Sequence, residues 1–188
     1  MQVFSKLAGW NILTAVAVVL STLNVTQAQT GFPTPTGNIH QLFYLQRTPN
    51  SNTIVCELNL RNGELDEEKP VHVFWIRYQE EGQRQELSYI QRTFAYGIKI
   101  KPLSKDKYEL WFVSYKKYRM RLMKDANGKF HVFTTIQGKL AILRSLFIKI
   151  NGGSFWSPNV EYMEIKGADI TNGGEISERI NLENCKKM

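Results

Sequence analysis

Signatures of catalysis and of cofactor binding are missing from this chain. It has no nucleophile-elbow pattern, no metalloprotease helix motif, no phosphate-cradling glycine loop and no paired-cysteine zinc spacing. Those absences exclude the enzymes and zinc modules that announce themselves in a local motif, and leave only chemistry that a fold would have to assemble. Histidine is scarce: His40, His72 and His131 lie far apart in the chain. His72 and His131 fall inside strand-like runs, where a partly buried, hydrogen-bonded ring is the common outcome. No metal site and no cofactor are expected. Cysteine is scarcer still, with Cys56 and Cys185 alone. A bridge between them is allowed in an oxidising compartment and would stabilise by roughly 4–5 kcal/mol in the chain-entropy model. Cys56, however, is in phase with Ile54, Leu58 and Leu60 on the inward face of a strand, and Cys185 lies in a polar tail. A buried free thiol at Cys56 is therefore the preferred reading.

Long hydrophobic runs are also few. The apolar run from Ile12 to Leu23 follows Lys6 and precedes Thr26-Gln27-Ala28, small residues at cleavage positions, so residues 1–28 read as an export signal cut near Ala28. No later segment approaches the roughly 20 apolar residues of a membrane-spanning helix. The expected product is exported, periplasmic or extracellular, with no transmembrane segment in the mature chain. Residues 29–38, rich in proline and glycine, read as a flexible lead-in, and 39–188 as one domain with room for a real core. The net charge is +7, and removing Lys6 with the leader leaves +6. That excess suits anionic surfaces and peripheral membrane contact. An exported chain without a nucleic-acid-binding motif argues against nucleic acid.

What the chain has in abundance is alternation. Gln41–Arg47, Asn52–Leu60, Val71–Gln79, Gly97–Lys101, Lys107–Tyr115, Tyr118–Lys124, Lys129–Ile136, Leu140–Ile150 and Val160–Lys166 are rich in β-branched and aromatic residues. "TPNSN", "RNGELDEEKP" and "DANGK" separate them with turn chemistry. One segment breaks the period of two: Leu87, Ile90 and Phe94 recur at helical spacing, and Ser88 with Gln91 forms a capping-box pattern, which predicts one short helix near residues 88–95 that covers the sheet. Several strands are apolar on both faces, as in "KYELWFVSY". The expected fold is mainly β, an antiparallel β-sandwich or flattened barrel of eight to nine strands.

Candidate chemistry is diffuse. Trp75, Tyr78, Arg92, Tyr96, Phe155 and Trp156 are the residues chosen as a ligand-binding lining, because rigid aromatics beside arginine are recognition chemistry. Arg47, Arg77 and Arg92 are each embedded in apolar sequence; if two converged under the helix they would make a polar pocket in an apolar wall, while packed stems with solvated heads are the plainer alternative. Lys116, Lys117, Arg119 and Arg121 form a basic stretch that reads either as a solvated sheet face or as an anion or surface patch. Ser154 and Ser157 have no local base. Asp169, Asn172 and Glu175 read as turn residues rather than a calcium loop. The Gly152-Gly153 pair marks a bend where a side chain would clash, or a grip for an anion.

"LFYLQRTPNSNTIVCELNL", "VHVFWIRYQEEG", "ELSYIQRTFAYGIK" and "INGGSFWSPNVEYMEIKGAD" together resemble the domain of unknown function 4833, an uncharacterised family of exported bacterial proteins. The likeness runs from about Leu42 to Ile180. It implies a single exported domain and transfers no activity, cofactor or catalytic residue. The leading functional expectation is a non-catalytic binding or interaction module of the envelope, whose partner is a protein or an amphipathic or anionic small ligand. An envelope hydrolase acting on glycan or lipid, with Glu161 or Glu164 facing a second carboxylate in a pocket, is the alternative, and an assembly protein the third.

Overall fold

The computed structural model describes residues 31–154 and 157–181, and in it the alternating runs are strands. The N-terminal half holds β1 (Gln41–Arg47), β2 (Thr53–Leu58), the two-residue strands β3 (Leu60–Arg61) and β4 (Glu64–Leu65), β5 (Val71–Arg77) and β6 (Gln83–Glu86). After a helix, α1 (Tyr89–Phe94), come β7 (Ile98–Ser104), β8 (Lys107–Phe112), β9 (Tyr115–Lys124), β10 (Phe130–Ile136), β11 (Lys139–Gly153), β12 (Pro158–Asp169) and β13 (Glu175–Asn181). Eleven strands form one curled, largely antiparallel sheet, a half-barrel, while β3 and β4 make a hairpin of their own. The sheet exceeds the expected eight to nine strands because β6 and β13 are polar edge strands.

β11 organises the sheet. One of its edges pairs with β10 through Lys139–Ile142 and then with β1 through Ser145–Ile148, and its other edge carries β12. The register shifts between Leu143 and Ser145, where the strand passes from one neighbour to the next. A bulge there bends the strand and increases its twist, so two meanders diverge from one edge: β1–β2–β5–β6 and β10–β9–β8–β7. The β1–β11 pair is parallel, because the chain between them is a long crossover rather than a hairpin.

The inner faces of the two meanders close on each other. Phe43 of β1 meets Phe112 of β8 edge-on at 6.2 Å between ring centroids. Leu110, Met120, Leu122, Val132 and Leu143 join Ile54, Cys56 and Trp75 in one buried cluster. Side chains fill this interior, as the alternation of each strand requires.

Residues 31–38 lie against the opposite face of β1 and β2. Gln46 Nε2 donates to the Pro33 carbonyl at 2.7 Å, Asn38 Nδ2 to Glu57 Oε2 at 3.0 Å, and Phe32 packs 5.5 Å from Phe147. Proline-rich backbone is already extended, so little further order is needed to lay it on a sheet.

The helix forms where its capping box predicts. Gln91 N donates to Ser88 Oγ, and Ser88 N to Gln91 Oε1 at 2.9 Å. Its apolar stripe behaves otherwise than expected. Leu87, just before the helix, is buried, whereas Tyr89 at 78%, Ile90 at 47% and Phe94 at 56% are exposed. Six residues make fewer than two turns, and the chain doubles back at once: a Cβ on Gly97 would lie 1.9 Å from the Arg92 carbonyl oxygen. One anchor, Leu87, is all that so short an element sets into the core.

Candidate functional site

At the end of the half-barrel beside α1, the inner faces of β1, β5 and β6 border a cavity of about 440 Å³. Arg47 ends β1, Asn50 and Asn52 occupy the turn that follows, Trp75 and Arg77 stand on β5, Gln85 and Glu86 on β6, and Ser88 and Gln91 at the start of α1 complete the wall. β-strand alternation explains the set: Arg47 shares its parity with the core residues Phe43 and Leu45, and Arg77 with Trp75. Each strand therefore carries its interior face outward to a cation at the open end.

The lining carries two arginines, Arg47 and Arg77, and one acid, Glu86, whose carboxylate is met by His72 Nε2 at 2.9 Å from the opposite face. Arg77 is engaged, donating from NH1 to Gln85 Oε1 at 2.8 Å and from NH2 to Glu80. Arg47 is not fully engaged: its Nε is buried with no hydrogen-bond partner, and so is Trp75 Nε1. The Trp75 ring meets Tyr96 edge-on at 5.1 Å, and the Arg47 guanidinium lies 5.7 Å from the centre of the Tyr96 ring. Burial pushes the Tyr96 hydroxyl pKa up, against the pull of the Arg47 charge. The oxygens of Asn50 and Asn52 already accept from the backbone amides of Asn52 and Gln79, so what these amides offer a ligand is N–H. A buried donor without an acceptor costs about 1–3 kcal/mol, and both of these donors belong to side chains that border the cavity.

Of the residues chosen from sequence, Trp75 lines the cavity and Tyr96 supports it from behind. Arg92 is elsewhere: exposed, it donates to the Leu87 carbonyl at 3.0 Å. Tyr78 begins a short 3₁₀ turn after β5 and is not among the lining residues. Phe155 and Trp156 lie outside the described residues, as do Cys185 and the export signal. Cys56 is fully buried with a free thiol, and burial raises its pKa far above the ordinary thiol value. Arg47 and Arg77 converge on the cavity and Arg92 does not. The turn amides Asn50 and Asn52 were not singled out; their signal was the "TPNSN" turn directly after an arginine in an apolar strand.

The other candidates are self-contained. Ser154 and Ser157 close a turn on each other, N–H to carbonyl at 3.1 and 3.2 Å. Gly153, at φ +87°, sits where a Cβ would lie 2.5 Å from Ser157 O and Asn159 N, so the glycine serves a close backbone approach. Asp169 accepts from Thr171 N at 2.8 Å and faces Lys139, which is a turn and not an ion loop. Burial alone would raise the pKa of Glu164, but hydrogen bonds from Arg179 and Lys166 hold it below its ordinary value. A carboxylate held between two cations is poorly placed to act as an acid. A second cavity, of about 300 Å³, lies at the β3–β4 hairpin, where Asp66 is already taken by Arg61 and by the amides of Glu68 and Lys69.

On the face of β2 and β5 opposite the cavity, charges form a closed network. Glu57 accepts from Asn38 and from Arg84 at 2.6 Å and lies 3.1 Å from His72 Nδ1, while His72 Nε2 meets Glu86 at 2.9 Å. Burial raises the Glu57 pKa, yet these donors and the Arg84 charge bring it below 4.5. The two ring nitrogens of His72 point at different carboxylates and cannot converge on one ion. Among the described residues no group of His, Cys, Asp and Glu is placed to hold a metal.

The basic stretch is split. Arg119 and Arg121 stand on the outer face of β9, with Arg119 3.4 Å from Glu109 and 4.1 Å above the Trp111 ring. Lys116 and Lys117 are exposed at the irregular start of β9, where the pairing with β8 shifts register.

A family model described as Domain of unknown function (DUF4833) matches residues 43–179. Searches of the curated proteins and of the solved structures returned no match.

Proposed function

The chain belongs to the family described as Domain of unknown function (DUF4833), a description that names no activity, and from the cavity we propose that this member is an exported, non-catalytic binding module for an amphipathic carboxylate. One observation carries the reading: two buried N–H donors, Arg47 Nε and Trp75 Nε1, lack acceptors and belong to side chains lining a single cavity. A carboxylate supplies acceptors to both, and a charge-assisted bond to arginine is about twice as strong as a neutral one. The Trp75 ring, backed by Tyr96, receives the apolar part of the guest. A volume of about 440 Å³ suits a small ligand and is too small for a folded partner. Export rests on the leader-like sequence of residues 1–28.

The test is a thermal-shift and calorimetric series of medium-chain carboxylates against the alcohols of the same chain length. Carboxylates should raise the melting temperature saturably, as a ligand specific for the folded state does, and the alcohols should not. Trp75→Phe, which keeps an aromatic ring and deletes the N–H, should weaken carboxylate binding by about tenfold, the worth of one charge-assisted hydrogen bond. Equal responses to acid and alcohol would rule the reading out.

A further inference from the structure

The outer face of β7–β8–β9 is a second surface, independent of the cavity. Strand register places Lys101 beside Glu109 and Glu109 beside Arg121, Lys99 beside Trp111, and Lys107 beside Met123. Alternation puts these residues and Arg119 on the face away from the buried Leu110, Met120 and Leu122. Five exposed cations, Lys99, Lys101, Lys107, Arg119 and Arg121, thus share a face with one acid, Glu109, itself held by Arg119. Neighbouring strands are about 4.8 Å apart, so each of these charges lies within about a Debye length of its nearest neighbour on the face. At the tip of the same hairpin Leu103 is 50% exposed. The register shifts between Pro102 and Ser104, which takes Leu103 out of the regular ladder, near Lys101, Lys105 and Lys107 in sequence and near one acid, Asp106, which Lys124 engages at 2.8 Å.

We propose that this face docks on an anionic phospholipid bilayer, the cations on headgroup phosphates and Leu103 at the boundary with the acyl chains. Charge complementarity selects an anionic partner, since a field of one sign concentrates its counter-surface. The exposed leucine among lysines selects a lipid surface over a soluble polyanion, which has no apolar layer to receive it. Trp111, stacked under Arg119 in the middle of the face, is of the residue type that settles at headgroup depth.

Co-sedimentation of the full chain with vesicles of neutral phosphatidylcholine, and with the same vesicles carrying about one third phosphatidylglycerol, tests this. The N-terminal apolar run is common to all variants and both vesicle types, so wild-type-to-variant ratios isolate the face. Each basic residue near an anionic surface contributes about fivefold in partitioning. The double variant Lys101→Gln/Arg121→Gln should therefore lose about 25-fold on anionic vesicles and nothing on neutral ones, and Leu103→Ser should lose severalfold on anionic vesicles alone. Circular dichroism of both variants should match wild type, since all three side chains are exposed. Equal partitioning to the two vesicle types, or an undiminished double variant, overturns the proposal. So does tight binding to a sulfated polysaccharide that Leu103→Ser leaves intact, because the surface is then a polyanion site.

Discussion

The two flanks of the half-barrel handle charge in opposite ways. On the β2–β5–β6 flank Glu57, His72, Arg84 and Glu86 satisfy one another, and Arg84 lies over the Phe74 ring at 3.6 Å. On the outer face of β7–β8–β9 five cations share Glu109, while Asp106 in the β7–β8 turn takes Lys124. The first arrangement spends its charges on holding the sheet and on fixing residues 31–38 through Asn38. The second leaves them facing solvent, where they add little to stability and remain free for a partner. Compensation therefore separates charges that hold the fold from charges left facing solvent, and the cavity, bordered by β1, β5 and β6, lies on the compensated flank.

The sharpest way to break this comparison is at Glu57. Its side chain is 11% exposed, and Glu57→Ala strands Arg84, His72 and Asn38 at once. Arg84, 50% exposed, stays hydrated without its partner, so urea unfolding should report the loss of hydrogen bonds to a charged acceptor, about 2 kcal/mol. A loss as small as that of an exposed charge would mean that the network is ornamental. The acid limb of stability is the next lever. Because the folded Glu57 carboxyl titrates below 4.5, its contribution is complete above that ordinary value and vanishes as pH falls through the lower, folded value. Glu57→Gln should flatten this limb of the unfolding curve. What persists belongs to groups such as Asp125 and Asp169, held low chiefly by the backbone amides of Lys129 and Thr171.

At the cavity the expected change is smaller. Arg47→Met removes an orphaned donor along with a cation–π contact, and these offset each other, so stability should move by less than about 1 kcal/mol while carboxylate binding is lost. The smallest effect belongs to the basic flank, where Arg121→Gln should stay within about 0.5 kcal/mol by urea unfolding and register only on vesicles.

The strands legible in the sequence are those with a buried face. Gln41–Arg47 is found to the residue because Phe43 and Leu45 alternate with half-buried Tyr44, and the capping box of Ser88 and Gln91 locates α1. β6, "QRQE", escapes notice because all four residues are exposed on an edge strand. β13, "EISERIN", escapes because only every second residue is half-buried. The parallel β1–β11 pair could not be read at all, since a register between distant segments leaves no local mark. The cavity was half legible. Arginine inside an apolar run signals a cation at the rim of a core, and that signal reaches Arg47 and Arg77. Tyr78 is not among the residues lining the cavity, because β5 ends at Arg77 and Tyr78 opens the 3₁₀ turn that follows. Asn50 and Asn52 look like any turn formers, because their role depends on what the fold brings over them.

The junction on β11 also orders events in time. Thr48 Oγ1 donates to the Ile150 carbonyl at 2.8 Å, across 102 positions of chain, and the whole β1–β11 ladder spans a similar distance. Hairpins such as β1–β2 and β8–β9 close early because their partners are near in sequence, whereas contacts of such long range form late. Until Ser145–Ile148 pairs with it, one edge of β1 has no partner strand. During that interval β1 is the natural target for a holding chaperone or for a misplaced second chain.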